Sequence, residues 1–163
     1  ARTLNESVLN HIQTLVASNV QVIWQCGKNY LSQIEEQFED SWKSTAQVHA
    51  FIQRMDLAYA SADVIISRAG ALSVSELTLI GKPCILVPSP NVAEDHQTKN
   101  AMALVQQDAA MLVTDAQSKE TLVPTAIELL NNPASCEQLA RSIRLLAKPN
   151  ACMEIVDACE SII

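Results

Sequence analysis

A glycine turn followed by the start of a helix has the residue types that hold a diphosphate in α/β proteins. An apolar, strand-like run at residues 64–66 precedes the turn, and a helix is expected to start near Ala71. The first amides of a helix have no partner within it and carry about half a positive charge, so those of Ala71, Leu72 and Ser73 can hold a diphosphate without a metal. Gly70 lets the backbone come close because it has no Cβ. The alternative is purely structural, with Gly70 turning the chain and Ala71 or Ser73 starting a helix.

Glu76 lies three positions after Ser73 and therefore on the same side of the predicted helix. A carboxylate there can accept two hydrogen bonds from the diol of a ribose. The same spacing also fits a capping box, in which Ser73 is the N-cap and Glu76 bonds back to it. In that case the helix starts slightly later. The two interpretations are equally compatible with the spacing.

A second polar cluster, made of His96, Gln97 and Asn100, follows the next predicted strand. Asp95 can N-cap the helix that carries it. His96 and Asn100 share one helix face, and glutamine and asparagine amides both donate and accept hydrogen bonds, which suits sugar hydroxyls. The alternative is a solvated helix start. We do not expect His96 to be a general base, because the carboxylates next to it in sequence are not placed beside its ring.

The composition excludes several classes of function. The formal net charge is −7, so nothing in this chain attracts nucleic acid or an anionic membrane surface. No apolar run reaches the roughly 18 residues of a membrane span, and no signal peptide is recognised, so we expect a soluble chain. Glycines stand only at 27, 70 and 81, which rules out a GxGxxG motif, and no GxSxG or HExxH motif occurs. No metal site or cofactor is predicted.

The five cysteines stand at 26, 84, 136, 152 and 159. Their number is odd and no pair has CxxC spacing, which argues against disulfides and zinc and favours a reducing cytosol. Cys152 and Cys159 would share one helix face, so we expect both to be small hydrophobic residues of the core.

Strand and helix patterns alternate along the 163 residues. Strands are predicted at 20–24, 63–67, 84–87 and 110–113, with a short strand or extended segment at 47–52. Helices are predicted at 4–16, 30–38, 57–60, 73–80, 96–107, 119–131, 134–147 and 151–162. Pro124 falls inside a predicted helix, which is either kinked there or begins later. This alternation predicts an α/β fold, a single Rossmann-like domain over 1–163 with a parallel sheet covered by helices on both faces. The first strand of that sheet is expected to be missing.

Three motifs resemble the donor-binding half of the MurG family of N-acetylglucosaminyltransferases. They are SRAGALSVSEL at 67–77, GKPCILVPSP at 81–90 and HQTKNA at 96–101. The flanking segments ARTLNESV and HAFIQRM are similar too, so the resemblance covers nearly the whole chain. The order and spacing of three motifs make it specific.

This resemblance implies a set of substrate-binding residues. The Gly70–Glu76 motif implies diphosphate contacts from backbone amides and a ribose contact from Glu76. The Phe51-Ile52 pair implies that the Ile52 backbone reads the edge of uracil. The HQxxNA motif implies contacts to N-acetylglucosamine and the neighbouring phosphate. The complete set is Phe51, Ile52, Gly70, Ala71, Leu72, Ser73, Glu76, His96, Gln97 and Asn100.

The family fold is GT-B, in which two Rossmann-like domains enclose a cleft. By resemblance, 1–163 is the C-terminal donor domain, without the family's GGS-x-G loop and without its N-terminal acceptor domain. That absent half is expected to supply the catalytic base, bind lipid I and face the membrane at the cytoplasmic side of the bacterial inner membrane. No catalytic residue is therefore expected in this chain, which should bind donor weakly and catalyse nothing.

The reaction implied for the intact enzyme is an inverting transfer. A hydroxyl of lipid I attacks the anomeric carbon of UDP-N-acetylglucosamine, UDP leaves, and lipid II for peptidoglycan is formed without a cofactor. Three alternatives remain open at this point. They are a separate donor-binding subunit of a split transferase, a glycolipid glycosyltransferase that uses another UDP-sugar, and a non-catalytic Rossmann-like interaction domain.

Overall fold

The computed structural model describes residues 2–90 and 95–162. Its strands are β1 (Val22–Gln25), β2 (Ala46–His49), β3 (Ile65–Ser67), β4 (Cys84–Leu86) and β5 (Met111–Leu112). Its helices are α1 (Arg2–Asn10), α2 (Ile12–Ala17), α3 (Leu31–Gln37), α4 (Met55–Ser61), α5 (Ala71–Ile80), α6 (His96–Val105), α7 (Asp115–Leu130), α8 (Pro133–Arg144) and α9 (Ala151–Glu160). Two short 3-10 turns, Lys28–Tyr30 and Asp40–Trp42, flank α3. The predicted alternation of strands and helices is confirmed.

The described strands form two parallel sheets instead of the one continuous sheet predicted. One sheet pairs β1 with β2, and the other has the order β3-β4-β5. The usual order of a doubly wound fold, 3-2-1-4-5-6, places one more strand between two such halves. That position is the one that the predicted first strand would take. The missing strand itself stays a prediction.

Helices cover both faces of the β3-β4-β5 sheet, as predicted. On one face, Cys84 and Leu86 pack with Leu77 of α5 and Leu104 of α6. On the other face, residues that alternate with these along the strand pack with α7, because successive strand side chains point to opposite faces. Every residue of β4 is fully buried. A strand buried on both faces reads as a continuous apolar run, which is how this one appears in the sequence.

The β1-β2 sheet is covered differently on its two faces. Trp24 and Cys26 pack with Ile34 of α3, and Ala46 packs with α2. Ile23, which alternates with Trp24, is 44% exposed, and Gln47 opposite it is exposed too. The prediction of helices on both faces therefore does not extend to this part of the described chain.

Helix α7 begins earlier than predicted and runs through Pro124. Thr114 precedes it as N-cap, and its Oγ1 accepts a hydrogen bond from the Gln117 amide. Pro124 costs one backbone hydrogen bond in the middle of the helix. Its neighbours Leu122, Val123 and Ala126 are buried in the core, and their packing offsets this cost. The alternative that this helix begins later is therefore wrong, while a kink at Pro124 stays a prediction.

The prediction that Cys152 and Cys159 are core residues is wrong, because both are exposed. They do share a face of α9, but no described residue of α9 is buried. Helical spacing defines a face without showing what covers it.

Cys84, in contrast, is fully buried, and burial raises the pKa of its thiol to about 12. Within residues 2–90 and 95–162, no helix is both long and apolar enough to span a bilayer.

Candidate functional site

The first turns of α1 lie beside the carboxyl ends of both sheets. Asn5 donates from Nδ2 to the Cys26 carbonyl at 3.0 Å and accepts from Trp24 Nε1 at 3.0 Å, next to the end of β1. Thr3 accepts a bond of 3.1 Å from Arg68 Nη2, next to the end of β3. Two residues from the same helical turn therefore reach both strand ends. The loops that follow β1, β2, β3 and β4 thus open on one edge of the molecule, where α/β folds bind ligands.

Helix α5 starts at Ala71, with Gly70 as its N-cap in an extended conformation (φ −64°, ψ 149°). The first bond within the helix runs from the Val74 amide to the Gly70 carbonyl, at 2.9 Å. No described side chain caps this end. The amides of Ala71, Leu72 and Ser73 precede that first bond and are left to an external acceptor. The capping box with Ser73 as N-cap is wrong, since the helix has already begun two residues before it.

Glu76 stands in the second turn of α5, with its side chain exposed. Tyr59 of α4 donates a hydrogen bond of 3.3 Å to Glu76 Oε2. Burial first, and then the charge and hydrogen bond of Glu76, raise the pKa of the Tyr59 hydroxyl. The phenol therefore stays protonated at neutral pH and acts as donor. It orients the carboxylate while leaving it accessible to a ligand.

Two amide side chains of α6 connect this helix to the loops after β3 and β4. Asn100 Nδ2 donates to the Ala69 carbonyl at 3.0 Å, directly before the Gly70 turn. Gln97 Oε1 accepts from the Ser89 amide at 2.9 Å. Each amide uses one end for a bond within the fold, and its other end can still donate or accept. The sequence predicted ligand contacts here and missed the structural role of these side chains.

His96 is the first residue of α6 and is exposed. Asp95 occupies the predicted N-cap position with a left-handed backbone (φ 54°). Its carboxylate accepts from the Thr98 hydroxyl at 2.6 Å instead of from a helix amide. Residues 91–94 of the preceding loop lie outside the described residues. The structure thus places His96, Gln97 and Asn100 on the helix predicted to carry them, with Asn100 bonded to the residue before the Gly70 turn and Gln97 bonded to the loop after β4.

Phe51 and Ile52 follow β2, on the other sheet. Phe51 is 65% exposed. It lines an open cavity of about 570 Å³ together with Lys28, His49 and Glu35. The Ile52 amide donates to Gln25 Oε1 at 2.9 Å, so this loop is fastened to the end of β1. The pair shares the carboxyl edge with the Gly70 turn but makes no described bond to it.

An ion pair that the sequence analysis did not identify joins the parts of this edge. Arg68 Nη1 lies 2.6 Å from Asp115 Oδ1, and the two side chains are only 21% and 19% exposed. The same guanidinium donates to the carbonyls of Val87 and Pro88, each at 3.1 Å. Thr3 donates to Asp115 Oδ1 at 2.7 Å. The available signal was a lone arginine directly after a buried strand, which cannot indicate its partner in a distant helix.

The described residues include no group of three or more histidine, cysteine, aspartate or glutamate side chains that could hold a metal ion. The uncapped start of α5 presents backbone amides and the positive end of the helix dipole, which suit an anion. An amide cluster, an accessible carboxylate one turn later and two amide side chains can together hold a diphosphate, a diol and further hydroxyls.

Comparison with known proteins gave consistent matches over the whole chain. A family profile described as the glycosyltransferase family 28 C-terminal domain matches residues 1–154. A UDP-N-acetylglucosamine–N-acetylmuramyl-(pentapeptide) pyrophosphoryl-undecaprenol N-acetylglucosamine transferase of Porphyromonas gingivalis is 50% identical over 157 residues, 96% of this chain and 41% of that protein. The protein of the same name from Parabacteroides distasonis is 47% identical over 163 residues, 100% of this chain and 44% of that protein.

A solved structure agrees with these matches. The crystal structure of Acinetobacter baumannii MurG is similar with a TM-score of 0.84 and 32% identity, covering 99% of this chain and 46% of that one. The chain thus spans less than half the length of these proteins.

Proposed function

The chain belongs to the glycosyltransferase family 28 C-terminal domain family, and we propose that it is the donor-binding domain of a UDP-N-acetylglucosamine transferase. The names of its relatives describe transfer of N-acetylglucosamine involving UDP-N-acetylglucosamine and N-acetylmuramyl-(pentapeptide) pyrophosphoryl-undecaprenol. We propose that the whole protein likewise converts lipid I to lipid II in peptidoglycan synthesis. The observation that carries this proposal is the uncapped start of α5. Its backbone amides lie at the same edge of the molecule as Glu76 and the amide side chains of α6.

Each part of the donor has a proposed partner at this edge. The diphosphate accepts hydrogen bonds from the amides of Ala71, Leu72 and Ser73, with Gly70 beneath it. The ribose diol donates to Glu76, and uracil lies against Phe51 with its edge on the Ile52 backbone. His96, Gln97 and Asn100 hold the N-acetylglucosamine and the phosphate next to it.

The positive end of α5 also contributes to the reaction. When the acceptor hydroxyl attacks the anomeric carbon, the bond to the diphosphate breaks and negative charge develops on the leaving UDP. Amides fixed at a helix N-terminus stabilise that charge without reorganising. The domain thus binds the donor and makes its UDP a better leaving group.

The remaining functions are assigned to the rest of the protein, since this chain spans only about two fifths of its curated relatives. We propose that the acceptor site, the catalytic base and the membrane contact belong to an N-terminal domain. The protein then works at the cytoplasmic face of the inner membrane as a peripheral enzyme, with 1–163 as its donor domain.

Calorimetric titration with UDP-N-acetylglucosamine tests the proposal. We expect Glu76→Ala to weaken binding by about 1.5 to 3 kcal/mol, the range for hydrogen bonds to a charged group. Glu128→Ala is the matched control. Glu128 is an exposed glutamate near the C-terminal end of α7, whereas Asp115 is at the N-terminal end of that helix. UDP-glucose serves as competitor, to separate this donor from other UDP-sugars. Full-length protein that binds no UDP-sugar, or binds it equally well without Glu76, would refute the proposal.

Tyr59→Phe should weaken donor binding without affecting the fold. Loss of the 3.3 Å hydrogen bond to Glu76 leaves the carboxylate free to rotate, so its bond to the ribose costs more side-chain entropy. We expect a rise of about two- to fivefold in the donor KM, since such a bond contributes about 0.5 to 1 kcal/mol. Steady-state kinetics of the full-length enzyme measure it. If the donor KM is unchanged, or if kcat falls by the same factor as KM rises, Tyr59 does not act through Glu76.

A further inference from the structure

The loop after β2 is fastened by a side chain that the proposed donor site does not use. Gln25 is the last residue of β1, and its strand partner is His49, the last residue of β2. Gln25 is exposed and reaches over to the Ile52 amide, which donates to Oε1 at 2.9 Å. Among the hydrogen bonds of the described residues, this is the one that engages the Ile52 N–H.

The acceptor atom in this bond, Gln25 Oε1, is chemically similar to the carbonyl oxygens of a nucleobase. The side-chain carbonyl of glutamine and the ring carbonyls of uracil are both neutral amide-type oxygens that accept from a backbone N–H. A backbone N–H donates one good hydrogen bond at a time. A base that is read by the Ile52 backbone must therefore displace Gln25 Oε1 from it.

We propose that Gln25 is an intramolecular competitor that occupies the base-reading amide while no nucleotide is bound. This inference rests on the proposed function, because it takes uridine to be the ligand at Ile52. Gln25 keeps the amide satisfied in the empty protein and rotates into solvent when the base arrives. Its exposure makes that rotation possible without disturbing the core. Gln25 thereby sets the affinity for the donor nucleotide without itself contacting it.

Two substitutions at this position should act in opposite directions. Gln25→Met keeps the length of the side chain but offers only a weak thioether acceptor, so the Ile52 amide becomes available. We expect its affinity for uridine to rise about two- to tenfold, the equivalent of one neutral hydrogen bond. Gln25→Glu keeps the shape and places a charged acceptor on the amide, which should hold it more tightly and lower the affinity. Uridine is the probe because it carries no phosphate for the new charge to repel.

The experiment is a titration of the full-length protein and these variants with uridine and UDP. Gln47→Met is the control, since Gln47 is an exposed glutamine of the neighbouring strand; we expect no change there. Amide hydrogen exchange without nucleotide gives a second readout, in which Gln25→Met should speed exchange at Ile52.

The outcomes separate this inference from the proposed function. In one outcome, UDP binding depends on Glu76, but Gln25→Met leaves the affinity for uridine unchanged or weakens it. Gln25 then organises the loop, and this inference is overturned. Unchanged exchange at Ile52 in Gln25→Met would overturn it too. If the wild-type protein binds neither uridine nor UDP, the proposed function fails and the inference fails with it.

Discussion

Replacing Arg68 by methionine is expected to lower the free energy of unfolding by about 2 to 4 kcal/mol. Removing one partner of a fully buried ion pair costs about 3 to 5 kcal/mol because the other charge stays buried alone. Arg68 and Asp115 are about one-fifth exposed, which places the expected value somewhat lower. The carbonyls of Val87 and Pro88 and the Thr3 hydroxyl lose their donor in the same step. Denaturant unfolding with a constant m-value measures the loss.

Two further variants separate the charge of Arg68 from its geometry. Arg68→Lys keeps a positive charge for Asp115 but has one ammonium group instead of a planar fork, so it cannot bond all of these oxygens. We expect it to recover only part of the lost stability. The double variant Arg68→Met with Asp115→Asn removes the orphaned charge and should be more stable than Arg68→Met alone. If Arg68→Met unfolds like the wild type, the ion pair contributes no net stability.

The same contacts explain why Arg68 matters for the site. It joins the end of β3, the loop after β4, the first turn of α1 and the start of α7. Arg68 stands two residues before Gly70, and the Pro88 carbonyl that it bonds directly precedes Ser89, whose amide donates to Gln97 of α6. A variant that loosens these contacts should weaken donor binding as well as the fold.

Local sequence patterns predicted the parts of the fold that depend on local chemistry. The apolar runs identified β3 and β4, and the glycine turn predicted a helix start near Ala71, where α5 begins, although the helix range of 73–80 was two residues too short at this end. The match to the family profile confirms the resemblance inferred from three motifs. These features depend on periodicity and on turn residues, which neighbouring residues determine.

The features that the sequence analysis missed depend on contacts between distant residues. Asp115 forms an ion pair with Arg68, and Gln25 accepts a hydrogen bond from Ile52. The spacing of these residues in the sequence indicates neither contact. The exposure of Cys152 and the division into two sheets likewise depend on which elements lie next to one another. The spacing of residues predicts which of them share a helix face or a sheet edge. The tertiary structure determines which other element packs against that face or edge.

The two glycines at the ends of α5 offer a comparison between function and folding. Gly81 ends the helix with a left-handed backbone (φ 66°), and a Cβ there would lie 2.6 Å from Arg144 Nε. We expect Gly81→Ala to cost about 1 to 3 kcal/mol of stability through backbone strain and this clash. Gly70 has φ −64°, and among the described residues a Cβ there would meet Ser73 Oγ, at an ordinary contact distance of 3.8 Å. No described residue therefore clashes with an alanine at position 70.

Gly70→Ala should for this reason leave the protein folded and greatly weaken its binding of UDP-N-acetylglucosamine. A glycine before a phosphate-binding helix lets the backbone approach the pyrophosphate, and a methyl group would take that space. We expect a loss of about 100-fold in affinity, or about 2.7 kcal/mol, with at most a small loss of thermal stability, because alanine is a weaker N-cap than glycine. Calorimetry and thermal unfolding of the same preparation measure both quantities, with Gly81→Ala as the opposite case. Undiminished binding by a folded Gly70→Ala would mean that the diphosphate lies away from this turn.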